Sequence, residues 1–294
     1  MTATIALADD VVIPRRSLVA RSADAVRRNP TIFIGAILLA ALVLVAVLAP
    51  VIAADPVRQA PINRMRPPSE RWWFGTDQFG RDIFSRTIYG TRVSLTVGIS
   101  VALFSSIIGL IIGLACGYVR ALDAVLMRVM DGLMAIPSIL LAIALITLTR
   151  PGLGIVIVAI VIPEVPRVAR VVRSVVLSIR SQPYVESAVA GGTRSLKLLV
   201  RHILPNTLAP LIVQATYVCA SAMLIEAGLS FLGAGVPPEI PSWGNIIAQG
   251  RSFFQIAPWS ILIPGAFLAL TVLAVNMLGD GLRDRLDPRL ARRM

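Results

Sequence analysis

Residues 184–206 read YVESAVAGGTRSLKLLVRHILPN. This stretch is polar and basic, and strongly apolar segments flank it on both sides. It opens with an acid and small residues (Glu186, Ser187, Ala188), carries a paired glycine at Gly191 and Gly192, and continues as a short amphipathic run. Leu204 and Pro205 close it just before another hydrophobic span. In a soluble protein it would be an ordinary surface turn. Between membrane spans it has the character of a docking element for a soluble partner.

The solvent is set by composition. The 294 residues are 56% hydrophobic and 15% charged, with a mean hydropathy of +0.80. Soluble domains carry about a quarter charged residues. Several apolar runs reach the roughly 20 residues that a helix needs to cross a bilayer. An all-α, polytopic membrane protein follows. The formal net charge of +12 does not indicate nucleic acid. The arginines sit mainly in the connections between spans, where positive charge sets topology and meets anionic headgroups.

Six spans are expected, over residues 32–52, 94–118, 124–148, 152–180, 208–232 and 260–278. Arg15, Arg16, Arg21, Arg27 and Arg28 precede the first, and the tail GDGLRDRLDPRLARRM carries five arginines. Both termini are therefore expected in the cytoplasm, which requires an even number of spans. That parity retains the fourth segment, although Pro163-Glu164-Val165-Pro166 interrupts it. It also places residues 181–206 on the cytoplasmic side. The resulting organisation is an N-terminal segment 1–30, a transmembrane domain 31–282 and a tail 283–294.

The polar loop 55–92 is expected outside, yet it carries seven arginines and four acids, against the positive-inside rule. The second span carries Gly109, Gly113 and Gly117 at four-residue spacing, a face suited to close helix packing. The third is interrupted at Ala135-Ile136-Pro137-Ser138. Pro137 is either a gating hinge or a packing kink. Arg167, Arg170 and Arg173 lie on one helical face.

Charged groups within spans are costly and are candidates for function. Asp131, Glu164 and Glu226 are in this position. Glu226 faces either a pathway or a neighbouring helix, and Asp131 and Pro137 are the other candidates for a pathway or gate. The residue types needed for catalysis are missing. His202 is the only histidine, Cys116 and Cys219 fall within spans, and the only lysine, Lys197, is followed by Leu198. No metal set and no phosphate-binding loop can be assembled. No enzyme is visible in these residues, and any transport driven by ATP hydrolysis would need another chain to supply the ATPase.

The opening stretch resembles the signature loop of ABC-importer permeases, Glu-Ala-Ala, three residues, Gly, nine residues, Ile-x-Leu-Pro. Glu186, Ala188, Gly192, Leu204 and Pro205 match, Ser187 replaces the first Ala, and His202 stands in place of Ile. Three further stretches resemble the dipeptide, oligopeptide and nickel permeases. They are Phe74-Gly-Thr-Asp77 with Gly80-Arg-Asp82, Glu226-x-x-Leu-Ser-Phe-Leu-Gly233 with Pro-Ser-Trp-Gly244, and Asn276 through Arg289. The "C"-type subunit of that group fits best. Pro163-Glu-Val-Pro166 departs from it.

The resemblance implies a type I ABC importer permease fold in a bacterial cytoplasmic membrane. It implies a homologous second permease, two cytoplasmic ATPase subunits that bind ATP and Mg, and an extracytoplasmic substrate-binding protein. Glu186 to Leu198 would form a short helix seated in an ATPase groove, with Glu186, Ser187, Ala188, Gly191, Gly192, Leu204 and Pro205 as the coupling residues. Di- or oligopeptides are the implied substrate. Nickel is the rival within the family, and a passive ion channel is the rival from another class.

Overall fold

The computed structural model describes residues 30–149 and 152–286. The expectations for the N-terminal segment and for the last eight residues of the tail fall outside these. Among the described residues the fold is all helical, with one isolated β-bridge between Thr76 and Asp82.

Ten α-helices follow in order. They are α1 (Pro30–Ile52), α2 (Ile83–Tyr118), α3 (Arg120–Ala135), α4 (Ser138–Thr147), α5 (Leu153–Arg180), α6 (Pro183–Ala190), α7 (Ser195–Leu198), α8 (Leu204–Phe231), α9 (Trp243–Gly250) and α10 (Trp259–Leu286). Four helical stretches are long and apolar enough to cross a membrane: α1, α2, Ser195–Phe231 and α10. The pair α3–α4 makes a fifth candidate, bent by 90° at its break. The sixth, α5, has the length but carries Glu164, Arg167 and Arg170 within its first 18 residues. Of the six expected spans, four are plain and one is broken among the described residues, and α5, expected as the fourth, is too charged to qualify by length and composition.

The centre of the bundle is the pair α2–α5, its most extensive helix contact, with α8 packed on both. The four-residue glycine spacing explains it. A Cβ built on Gly109, Gly113 or Gly117 would lie 2.6 Å from side-chain atoms of Val168, Val172 or Val176 respectively. Residue numbers rise together on the two helices, so they run parallel, glycine ridge against valine ridge. α10 packs on α1 and α8, again at a glycine: a Cβ on Gly35 would meet the Ala274 carbonyl at 2.8 Å. Cys116 and Cys219 are buried and unbonded.

Two boundaries differ from the sequence reading. The second helix begins at Ile83, eleven residues earlier than expected, so the loop preceding it ends at Asp82. Asp82 caps it, accepting from the Phe84 and Ser85 N–H groups, and Ile83, Ser85, Arg86 and Thr87 are buried. A run rich in Arg, Ser and Thr reads as loop until its burial is seen. The third span is broken rather than kinked. Ile136 is extended with ψ 130, as a residue before proline tends to be, and Pro137 heads α4 from the N-cap. By contrast α5 runs unbroken through Pro163 and Pro166.

The arginine-rich loop is folded, and part of its charge is used internally. Asp77 accepts from the Phe79 and Arg81 N–H groups, both at 2.9 Å, and pairs with Arg81 Nε at 2.6 Å. Arg81 also donates to Gln249 Oε1, as does Arg86 at 3.5 Å, and Arg64 donates to the Gln78 carbonyl. Three of the seven arginines therefore act as tethers within the fold, not as free positive charge.

Candidate functional site

The opening stretch folds as a helical hairpin at one end of the bundle. Pro183 at the first position and the Gln182 carbonyl, which accepts from Val185 and Glu186 N–H, start α6. Its end is a Schellman motif. Thr193 N–H donates to the Ala188 carbonyl at 3.0 Å, and Gly192 N–H to the Val189 carbonyl at 2.9 Å. In this motif the residue after the cap takes a left-handed conformation, usually as glycine. Gly192 is that residue, with φ +77. Gly191 has φ −74 and no such requirement.

The structure thus assigns Gly192 to turning the chain, and α6 ends at Ala190. The single helix expected over Glu186 to Leu198 is two helices with a turn between them. The left-handed glycine stops the first, and Ser195 begins the second.

The other boundary also differs. Leu204–Pro205 does not close the segment. A π-helical turn over Leu199–Ile203 carries the chain from α7 into α8, with Leu204 N–H donating to the Leu199 carbonyl. Proline cannot donate to the carbonyl four residues back, and its ring crowds that carbonyl. A wider turn relieves both problems, and π turns of this kind recur at functional sites. Ser195–Phe231 is in consequence one continuous helical stretch of 37 residues.

The hairpin is held down at few points. Val185, Leu198 and Ile203 are buried. Asn206 Nδ2 donates to the Tyr184 hydroxyl at 3.3 Å and to the His202 carbonyl at 2.7 Å. Ser187 Oγ donates to the Pro183 carbonyl. Glu186, Ser187, Gly191, Gly192 and Pro205 are exposed, and Ala188 and Leu204 are half-buried. Tyr184, Val189, Leu196 and Val200 also stand exposed. An acid beside four uncovered apolar side chains is a surface suited to a protein partner.

The remaining candidates lie elsewhere. Glu226 is 1% exposed. Its Oε1 accepts from Ser230 Oγ at 2.8 Å and from Ser242 Oγ at 2.7 Å. Ser242 is the N-cap of α9, so Glu226 ties the end of α8 to the connection that follows it. Of the two readings left open, it faces a neighbouring element. Asp131 is exposed and pairs with Arg170 at 2.6 Å. Pro137 is exposed at the break between α3 and α4.

Asp131 and Glu164, each open in the sequence to solvent or to an arginine partner, belong to a ladder of ion pairs. Arg167 meets Glu164 at 3.0 Å, Arg170 meets Asp131, and Arg173 grips Asp123 with two bonds at 2.5 and 2.7 Å. The stripe of three arginines was visible, but which α3 carboxylates Arg170 and Arg173 would meet was not. The signal was the eight-residue spacing of Asp123 and Asp131, two turns apart on one helical face. A hub missed in the sequence is Gln249, which joins Arg81 and Arg86 to Asn245 of α9.

The chain is similar to known proteins over most of its length. Residues 105–292 match the family described as binding-protein-dependent transport system inner membrane component. Residues 17–68 match the N-terminal transmembrane domain of oligopeptide transport permease C. A probable peptide ABC transporter permease of Sinorhizobium fredii is 58% identical over 91% of this chain and 92% of its own. A dipeptide transport system permease of Alkalihalophilus pseudofirmus is 43% identical over 90% of this chain and 88% of its own. The inward-facing MetNI methionine ABC transporter shares the fold, with a TM-score of 0.59 over 70% of this chain and 98% of its own at 22% identity. An all-helical bundle with an exposed hairpin, matched over most of its length by permeases, is a transport component and not an enzyme, and the chain belongs to the family of binding-protein-dependent transport system inner membrane components.

Proposed function

We propose that the chain is the "C"-type permease subunit of an ATP-driven importer of di- or oligopeptides. It forms half of the translocation pathway in the inner membrane, with both termini in the cytoplasm. A homologous second permease supplies the other half. Two cytoplasmic ATPases, which bind ATP and Mg, supply the energy, and an extracytoplasmic binding protein delivers the solute. The peptide assignment is supported by the names of the relatives.

The observation that carries the mechanism is the continuity of the hairpin with a membrane span. Glu186, Ser187 and Ala188 lie on α6, which a left-handed glycine turns onto α7. From α7 the helix runs on without a break to Phe231. A push on the hairpin by a closing ATPase dimer is therefore transmitted along one stiff element, as in rigid-body alternation of access. The small residues Ala188 and Gly191 let a partner's surface approach the backbone closely.

The test is Glu186→Lys in the assembled transporter. The variant chain inserts and is present at normal levels, while ATP-coupled uptake of a labelled dipeptide falls at least tenfold and co-purification of the ATPases weakens. An intact uptake rate overturns the docking role.

A further inference from the structure

The face of the bundle that carries charge at mid-depth is the one around the α3–α4 break. Arg167 lies nine residues, about 14 Å along the axis, before Val176, which packs on Gly117 in the last turn of α2. Val168, the next residue, packs on Gly109, well inside the apolar run of α2 and not at its end, so Arg167 lies at membrane depth. Its partner Glu164 is 0% exposed, but the Arg167 side chain is 36% exposed. One turn further, the pair Arg170 and Asp131 is 50% and 59% exposed. Charged side chains do not face lipid at such depths without a large cost.

A second, independent feature points the same way. The chain breaks at Ala135–Ser138, and Asp131, Gly132, Met134, Ala135, Ile136 and Pro137 are all exposed. Helix α3 ends there, leaving its last carbonyls without intrahelical partners, and no side chain caps α4. Non-helical backbone at membrane depth is tolerated only against protein or water. The break sits one turn beyond Asp131 and hence close to the level of Arg167.

We infer that this elbow and the Arg167–Arg170–Asp131 band line the water-filled translocation pathway. Arg167 is a specificity-determining residue there, because its pair buries the carboxylate and presents the guanidinium. The lining therefore favours solutes that bring a carboxylate to that point over those that bring a second cation. Only this selectivity rests on the peptide-import reading; the lining itself does not.

Two measurements on the complete transporter in native membranes test it. The first introduces single cysteines as Ile136→Cys and Met134→Cys, with Val47→Cys on α1 as a reference exposed apolar site. Each is probed with a charged, membrane-impermeant thiosulfonate, without nucleotide and with ATP and vanadate. Reaction at 134 and 136 at least tenfold faster than at 47, in either state, is the expected result. Rates as slow as at 47 in both states overturn the lining.

The second compares uptake of alanyl-aspartate with that of alanyl-lysine. The double variant Glu164→Gln/Arg167→Gln removes both charges, Glu164→Gln without a change of shape and Arg167→Gln with a shorter side chain. Its acidic-to-basic uptake ratio falls about tenfold, and Arg167→Lys keeps the wild-type ratio. An unchanged ratio in the double variant overturns the role of Arg167. If the wild-type chain restores uptake of neither peptide to a strain lacking it, the peptide assignment fails while the labelling result stands.

Discussion

Gly191 and Gly192 look interchangeable on paper, and the backbone separates them. Gly192 sits at φ +77 with open space around it, whereas Gly191 has an ordinary helical φ. A side chain at a left-handed position costs about 1 kcal/mol, with no clash to add. Gly192→Ala is thus expected to loosen the α6–α7 turn and lower ATP-coupled uptake more than Gly191→Ala, which leaves the turn intact and acts only at the surface offered to the partner. Proteolysis at the turn, compared between the two variants, reads the same difference. Equal behaviour of the two would show that the turn geometry does not matter. The spacing of the motif singled out Gly192 but not its conformation, because a sequence records residue type and not φ. Glu226 shows the same limit. Its position in a span marked it as notable, and only its two serine donors show that it anchors α9.

The helices themselves were largely legible, because apolar length and glycine spacing act locally. The Gly109, Gly113 and Gly117 ridge was readable as a packing face, and its partner ridge of Val168, Val172 and Val176 completes it. Filling that groove is expected to be severe. Gly113→Val places side-chain atoms where Val172 already lies, and overpacking of this kind costs about 1–3 kcal/mol. The unfolding temperature of the detergent-solubilised chain should drop, whereas Gly132→Ala, inside α3 with nothing within 4 Å, should leave it unchanged or slightly raised, since alanine favours the helix over glycine. Helix boundaries were less legible wherever tertiary contact overrides composition. The start of α2 is polar in sequence and buried in the fold, and the π turn at Leu199–Ile203 carries a helix through a proline that normally signals a stop. The arginine ladder of α5 was half legible, since one partner of each inter-helix pair lies some 40 to 50 residues away.

Taken together, the helices form two linked ends. Loop residues 53–82 and α9 are tied to each other at one end through Asp77, Arg81, Gln249 and Asn245. The α6–α7 hairpin occupies the other end. The stretch Ser195–Phe231 joins them, and its π turn fixes the rotation of the hairpin about the span. Deleting Val200 removes one residue from that turn and rotates the hairpin by about 100°. The expected outcome is a chain that inserts and carries its outer loops normally but loses at least tenfold in ATP-coupled uptake. Near-normal uptake would mean that the hairpin's orientation does not matter for coupling. This arrangement was legible only in part from the sequence. Parity and charge set residues 181–206 and the loop 55–92 on opposite sides as an expectation, but nothing in residue order reveals that one unbroken rod runs from the hairpin to Phe231.

The uncovered side chains of that hairpin have a consequence for the cell. A subunit synthesised without its partner leaves Tyr184, Val189, Leu196 and Val200 uncovered, and uncovered apolar side chains are what chaperones and proteases select. On the proposed docking role, orphan copies are expected to be short-lived, with the level of this chain following the supply of its partner; a pulse-chase without the ATPases checks it. Assembly would thereby enforce stoichiometry after translation, with the docking surface acting as its own degradation signal until it is covered.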